Sequence, residues 1–230
     1  MKSHDEILQR ISRYLMLHGS FINNIGLLNG KTGIAIFFYH YSRYTGKKIY
    51  DAFAGALIDE IYREIHVDIS RNFKDGLCGI AWGIDYLIQN RFVEAGPDEI
   101  LEDLDKQIVE RDVRRITDYS LDTGLKGIAA YVIERKKNKA TENPYIRQEY
   151  ILDLIEALKN HKKDDAGLFI NDLTKIITNE NIANSYNPIF EKINQIKYNP
   201  KLLFEKARPT GIDKNGYAGI GLQLMKIHTE

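Results

Sequence analysis

The sequence predicts an all-α fold, an α/α toroid of about five helical hairpins. Three observations predict it. A short glycine motif recurs at regular intervals, apolar residues after each motif follow helical spacing, and no long stretch alternates apolar and polar residues as a strand would. The whole chain, residues 1–230, is expected to form one domain of this kind.

The glycine motif reads Gly-x-x-Gly-Ile followed by Ala or Gly, and it begins at residues 30, 76, 124 and 216. The intervals between these glycines are 46, 48 and 92 residues, and the last is twice the first. A fifth copy is therefore expected near residue 170, where Asp165-Ala166-Gly167 keeps the first glycine and Ile170 replaces the second. A repeat of this length is typical of helical repeat proteins.

Each motif is expected to begin an inner helix of the toroid, and each inner helix to be followed by a more charged outer helix. Apolar residues spaced by three and four positions after the motif include Ile34, Phe37, Phe38 and Tyr41 in the first copy. The outer helices have one apolar and one charged face. Their apolar residues include Ile7, Ile11, Leu15, Phe53, Leu57, Ile61, Leu101, Leu104, Ile108, Ile151, Leu154 and Leu158. Residues 179–200 are expected to form a long loop with one short helix at about 188–197.

The glycines themselves suggest how the helices begin and pack. The residue before the first glycine is usually of a type that caps helices, and the set is Asn29, Asp75, Thr123, Ala166 and Asn215. The second glycine and the Ala or Gly that follows Ile in the motif form a strip of small residues on the first helical turn. Such a strip allows helices to crowd together at one end. A ring of inner helices needs such crowding, whereas an open helical solenoid with glycine turns is the alternative.

Composition excludes several classes of protein. The chain has 32 basic and 32 acidic residues, and this zero net charge argues against a general nucleic-acid-binding protein. It has one cysteine, Cys78, so an intrachain disulfide and a cysteine-rich zinc module are both excluded. No apolar run is long enough to span a bilayer or to act as a signal peptide. The sequence is therefore expected to give a soluble cytoplasmic protein without membrane insertion.

Three segments carry a family resemblance: Leu27 to Tyr41 (LLNGKTGIAIFFYHY), Asp75 to Trp82 (DGLCGIAW) and Gly216 to Leu222 (GYAGIGL). They resemble the lanthionine synthetase C-like (LanC-like) family, whose members are α/α toroids with inner helices that start at such motifs. The resemblance implies a role in peptide modification. The family's cyclases add a cysteine thiol of a precursor peptide to a dehydrated residue, with a zinc ion that makes the thiol a thiolate.

This chain departs from the family's metal site. The resemblance implies two cysteines and a histidine next to the glycine motifs, but none of the residues before the first glycines is Cys or His. Cys78 lies inside a motif, where the family has no ligand. The family toroid also has seven hairpins, and this chain has room for about five. We therefore expect neither a zinc ion nor another cofactor and no zinc-dependent cyclase activity, and whether the chain is an enzyme stays open.

Candidate site residues lie where the inner helices begin. Asp75 and Asp122 are the candidates for acid–base catalysis, and helix capping is the alternative for each. A substrate-binding surface is expected from the polar and aromatic residues Asn29, Lys31, Lys74, Lys126, Asn215 and Tyr217. The lysines either attract an anionic peptide or are simply solvated. Tyr131 is a further residue expected near this surface, and Cys78 is expected in the core.

Three functions remain open on the sequence alone. The first is a binding module for a precursor peptide or for the enzyme that modifies it. The second is a metal-independent enzyme that uses Asp75 and Asp122 on a carbohydrate or a peptide. The third is a helical-repeat scaffold for assembly.

Overall fold

A computed structural model describes residues 4–66, 69–137, 143–160, 166–182, 186–205 and 208–227. The described part is all-helical, as the repeat predicted, and contains no β-strand. Its helices are α1 His4–His18, α2 Lys31–Thr45, α3 Lys48–Glu64, α4 Leu77–Gln89, α5 Pro97–Val109, α6 Leu125–Lys137, α7 Gln148–Lys159, α8 Gly167–Ile177, α9 Pro188–Asn194 and α10 Tyr217–Leu224. Asp165, part of the expected fifth motif, lies outside the described residues.

The helices group into two compact units. Unit 1 contains residues 1–69 and 188–230, and unit 2 contains residues 70–187. In unit 1, α2 packs on α3, and α10 packs on α1, α2 and α9. In unit 2, α4 packs on α5 and α6, while α6 and α8 both pack on α7 and on each other. Closure of the hairpins into a ring, and a single domain over residues 1–230, stay predictions.

The helices predicted to be amphipathic bury the predicted faces. Ile7, Ile11 and Leu15 of α1 are buried, and so are the corresponding leucines and isoleucines of α3, α5 and α7. The helices that follow the glycine motifs are buried over most of their surface, which confirms that they are more buried than the amphipathic helices. The predicted short helix near residue 188 is confirmed as α9, although it ends earlier, at Asn194.

The first glycine of each motif makes room for the preceding loop. We call residues 24–30, 70–76 and 118–124 the glycine loops. In each of them the carbonyl group of the first residue accepts a hydrogen bond from the first N–H of the helix that follows, at 2.8 to 2.9 Å. A Cβ on the last residue (Gly30, Gly76 or Gly124) would lie 2.1 to 2.3 Å from that carbonyl oxygen. The loop therefore closes only on glycine, because any side chain would collide with its own backbone.

This geometry corrects the predicted caps. The N-cap residues of α2, α4 and α10 are Gly30, Gly76 and Gly216, and none of them has a side chain that could cap a helix. The predicted capping residues Asn29, Asp75 and Asn215 precede these glycines by one position and so are not at the N-cap. The N–H group that a side chain would have capped is instead bonded to a backbone carbonyl of the same loop, so capping is supplied by the loop.

The second glycine also serves the loops more than neighbouring helices, contrary to the expectation. A Cβ at Gly33 would lie 2.3 Å from the carbonyl oxygen of Leu27, and one at Gly127 would lie 2.4 Å from that of Leu121. The expected fifth copy lacks this arrangement. Gly167 is the first residue of α8 itself, and a Cβ there would meet nothing within 4 Å.

Candidate functional site

The glycine loops are organised by polar residues at their starts. The carboxylate of Asp118 accepts hydrogen bonds from the N–H of Ser120, at 2.8 Å, and from the hydroxyl of Thr123. The bond from Thr123 and then that from Ser120 hold the pKa of Asp118 below its ordinary value. Asn24 does the same in the first loop, where its Oδ1 accepts from the N–H of Gly26 at 2.8 Å. These turns fix the loop conformation before the helix begins.

In unit 2 two glycine loops lie side by side. The carbonyl oxygen of Asp122 accepts hydrogen bonds from the N–H groups of Phe73, at 3.1 Å, and of Lys74, at 2.9 Å. The Nζ atom of Lys74 lies 3.7 Å from Oδ2 of the same aspartate. The side chains of Lys74, Asp75, Asp122 and Thr123 are half-buried or exposed. The two loops thus bring the ammonium group of Lys74 near the carboxylate of Asp122, and Asp75 and Thr123 follow these two residues in sequence. We call these four residues the loop-pair surface.

Unit 1 repeats the backbone arrangement. The carbonyl oxygen of Leu28 accepts hydrogen bonds from the N–H groups of Ile212, at 2.8 Å, and of Asp213, at 3.0 Å. The side chain of Asn29 is half-buried beside this contact. Asn215, another predicted site residue, accepts a hydrogen bond on Oδ1 from the N–H of Lys197 at 3.0 Å and has a positive φ of 57°. Its amide therefore stabilises the local backbone.

Lys31 is not the exposed cation that the sequence predicted. It is 3% exposed, and its Nζ lies 2.6 Å from Oε1 of Glu64 and 2.9 Å from Oε2 of Glu60. Burial acts to lower the pKa of Lys31, but the hydrogen bonds from Lys31 to Glu64 and Glu60 outweigh it and leave the pKa above its ordinary value. The charge of Lys31 is matched inside the hairpin of α2 and α3. Lys126, by contrast, is half-buried near the start of α6.

The two tyrosines that were expected at the binding surface are buried. Tyr217 is 3% exposed and packs between the rings of Tyr14 and Phe204. Tyr131 is fully buried and donates a hydrogen bond to the carboxylate of Asp105. Neither prediction is correct, because each ring belongs to the core of its own unit.

A buried polar network around Asp105 was missed by the sequence reasoning. Besides Tyr131, this carboxylate accepts hydrogen bonds from Asn143 Nδ2, at 2.6 Å, and from Arg135 Nε, at 3.2 Å. Arg135 also pairs with Asp98 at 2.6 Å. The network ties α5 to α6 and to the segment before α7. The available signal was that Asp105 falls on the apolar face of α5, one turn after Leu101, but its partners Tyr131 and Asn143 lie 26 and 38 residues away in sequence.

A second buried acid lies on α4. Asp85 is 1% exposed and accepts a hydrogen bond from Gln89 Nε2 at 2.7 Å. Burial, followed by the nearby carboxylate of Glu134, raises the pKa of Asp85 to about 7. Glu134 is buried as well and pairs with Lys137 at 2.7 Å.

Neither the glycine loops, which contain no Cys or His, nor Cys78 fits the zinc site that the resemblance implies. Cys78 lies in the first turn of α4, is fully buried, and burial raises the pKa of its thiol to about 12. A zinc ligand needs the deprotonated thiolate, which this surrounding opposes. Within the residues that the structure describes, no three His, Cys, Asp or Glu side chains are grouped to hold a metal ion.

Among the described residues, no helix is both long and apolar enough to cross a membrane. Comparison with curated proteins gives no match, and comparison with solved structures gives none either. The family model described as Lanthionine synthetase C-like protein matches residues 22–183. The matched region includes three of the four complete glycine motifs and the loop-pair surface. The chain therefore belongs to the lanthionine synthetase C-like family.

Proposed function

We propose that this chain is a peptide-binding member of its family that acts without zinc-dependent cyclase activity. Its ligand is a precursor peptide or the enzyme that modifies that peptide. The observation that carries the proposal is the loop-pair surface, where Asp122 holds two glycine loops together through Phe73 and Lys74.

The chemistry of this surface suits a polypeptide. A peptide backbone offers both N–H donors and carbonyl acceptors, and the surface offers an ammonium donor, carboxylate acceptors and the hydroxyl oxygen of Thr123, whose proton is bonded to Asp118. These side chains come from loops fixed by backbone hydrogen bonds, so little ordering is needed on binding. The side chains available as metal ligands argue against zinc-dependent cyclase activity. Asn29, Asp75 and Thr123 stand before the first glycines, and the one thiol of the chain is buried.

Binding can be measured by fluorescence anisotropy. The probe is a labelled synthetic leader segment of a lanthionine precursor peptide. The double variant Lys74→Ala, Asp122→Ala should bind the probe about tenfold more weakly or worse, because it removes polar contacts at the centre of the surface. The control is Arg114→Ala, Asp153→Ala, which removes an exposed ion pair of the same 3.7 Å length elsewhere in unit 2. Equal affinity of both double variants would contradict the proposal.

Cyclase activity has its own assay. The dehydrated precursor is incubated with the chain, and the remaining thiols are counted by alkylation and mass spectrometry. We expect the thiol count to stay the same as without the chain. A fall in thiols that depends on added zinc would overturn the zinc-free assignment.

The competing function is a metal-independent enzyme with Asp75 and Asp122 as acid and base. It is favoured by the same loop pair, which brings both half-buried carboxylates onto neighbouring loops. Asp75→Asn and Asp122→Asn separate the two functions. If the chain turns over a peptide or glycan and either variant abolishes that turnover, the binding-module proposal is replaced by the enzyme.

A further inference from the structure

Unit 1 contains a surface cavity of about 530 Å³ where α1 begins, α2 ends and α3 begins. Three tyrosines line it: Tyr41, Tyr44 and Tyr50. Asp5 and Glu6 also line it. We call this cavity the tyrosine pocket.

The tyrosine rings form one cluster. The ring centroids of Tyr41 and Tyr50 are 4.6 Å apart, and those of Tyr41 and Tyr44 are 6.4 Å apart with nearly parallel planes. Tyr41 is 4% exposed and forms the floor, whereas Tyr44 is 52% exposed and has a ring that a ligand can reach. The face of an aromatic ring carries negative charge density, which attracts cations.

Two further features make the electrostatic potential in the pocket negative. Tyr44 donates a hydrogen bond from its hydroxyl to Oδ1 of Asp5 at 2.7 Å, and this bond shifts electron density into the ring. The pocket also includes Tyr41, Tyr44 and Thr45 of the last turn of α2, where the helix dipole gives partial negative charge. Among the residues that the structure describes, Lys47 is the one basic residue that lines the pocket, and it is exposed to solvent.

We infer that the tyrosine pocket binds a lysine or arginine side chain of a basic polypeptide segment, with the cation against the ring of Tyr44 and near Asp5 and Glu6. Charge complementarity supports a cation, since aromatic faces, carboxylates and a helix C-terminus all favour positive charge. The size of the cavity supports a polypeptide. It has room for a side chain together with its flanking backbone, far more than a small ammonium ion fills.

The pocket is separate from the glycine loop of its own unit, residues 24–30. Lys31 and Tyr44 are 13 positions apart on α2, so the pocket and the glycine loop lie about 20 Å apart along the helix. The inference therefore goes beyond the proposed function, and its failure leaves the loop-pair surface untouched.

The test is an NMR titration that follows the tyrosine ring protons of the full chain. The probes are N-acetyl-lysine methylamide and N-acetyl-arginine methylamide, and N-acetyl-norleucine methylamide is the neutral control. We expect saturable shifts of the Tyr44 resonance with the two cationic probes and none with the neutral one. The shifts should weaken as salt is added.

Tyr44→Leu should weaken binding of the cationic probes about three- to tenfold, as expected for loss of a cation–π contact. The matched control is Tyr62→Leu, which changes another partly exposed tyrosine of unit 1 outside the pocket. The double variant Asp5→Asn, Glu6→Gln should also weaken binding and reduce its salt dependence. Three results would each overturn the inference: equal shifts with the neutral probe, unchanged affinity in Tyr44→Leu, or tighter binding of tetramethylammonium than of both side-chain probes.

Discussion

Gly127 lies directly against Phe73, and a Cβ at position 127 would be 2.6 Å from the Cβ of Phe73. The contact joins the second glycine of one motif to the glycine loop of another motif in the same unit. Because of this contact, position 127 in the first turn of α6 has no room for a side chain. The loop that fills the space lies about 50 residues earlier in the chain. The glycine motif is therefore a packing requirement between repeats as well as a turn within one.

We predict that Gly127→Ala lowers the free energy of unfolding by about 1–3 kcal/mol, because the new methyl group would overlap Phe73 and the carbonyl of Leu121. Urea unfolding followed by the fluorescence of Trp82, the one tryptophan, measures the change. Gly167→Ala is the control, since the space around that helical glycine is open. Equal stability of the two variants would contradict the packing described here.

Lys31→Met should destabilise the chain by about 1–3 kcal/mol. The substitution leaves Glu60 and Glu64 without their shared partner, although both carboxylates still reach water. Lys48→Met, at an exposed position on α3, should leave stability unchanged.

The pH dependence of the Lys31 effect follows from its pKa. The pKa of Lys31 is raised on folding, so its stabilising contribution is complete below the ordinary value of 10.5 and is lost as pH rises through the folded pKa. The difference between wild type and Lys31→Met should therefore be constant from pH 7 to 9. A difference that vanishes within that range would contradict the assignment.

Asp85 makes stability depend on pH in the opposite sense to most carboxylates. Its pKa is raised from 3.8 to about 7, so the folded chain binds more protons than the unfolded chain between these values. Its contribution to stability therefore falls as pH rises from about 4 to 7 and is constant above that. Asp85→Asn should be more stable than wild type at pH 8, by up to about 4 kcal/mol, and similar to wild type at pH 4. Urea unfolding at both pH values tests this, and an equal difference at both would refute it.

Cys78 should be unreactive in the folded chain. The thiol is fully buried and its pKa is raised to about 12, so thiolate is scarce at pH 8 and the reagent has no access. A chromogenic disulfide reagent should react only after urea is added. Fast reaction in buffer, or stoichiometric zinc that is lost on Cys78→Ala, would show that the thiol is available as a ligand.

The helices were predictable from the sequence because their signals are local. Apolar spacing on α5 places Leu101, Leu104 and Ile108 on one face, and the structure buries that face. The caps were predicted wrongly because the group that accepts the first helical N–H is a backbone carbonyl six positions before the glycine. Every residue type has a backbone carbonyl, so the sequence does not reveal which one is used. Local propensity favoured Asn29 and Asp75, and the loop geometry overrode it.

The candidate site was predicted only where its residues stay near the surface. Lys74 and Asp122 do lie together, and the regular repeat indicated their equivalent positions. Lys31 occupies the position after the first glycine, but it turns inward to Glu60 and Glu64 on α3. Tyr131 is likewise buried in the core, where its hydroxyl donates a hydrogen bond to Asp105. Such partners lie 26 to 33 residues away in sequence, beyond the reach of a pattern based on neighbours.

Unit 1 is built from both ends of the chain, since α10 packs on α1 and α2 while residues 70–187 belong to unit 2. During synthesis, α1 to α3 emerge first but cannot complete their core until residues 188–230 have left the ribosome. Unit 2 is continuous in sequence and can fold before unit 1 does. Unit 2 can therefore fold first although α1 to α3 are synthesised earlier, and the apolar side of α2 that meets Gly221 at Phe37 has no partner until α10 has emerged.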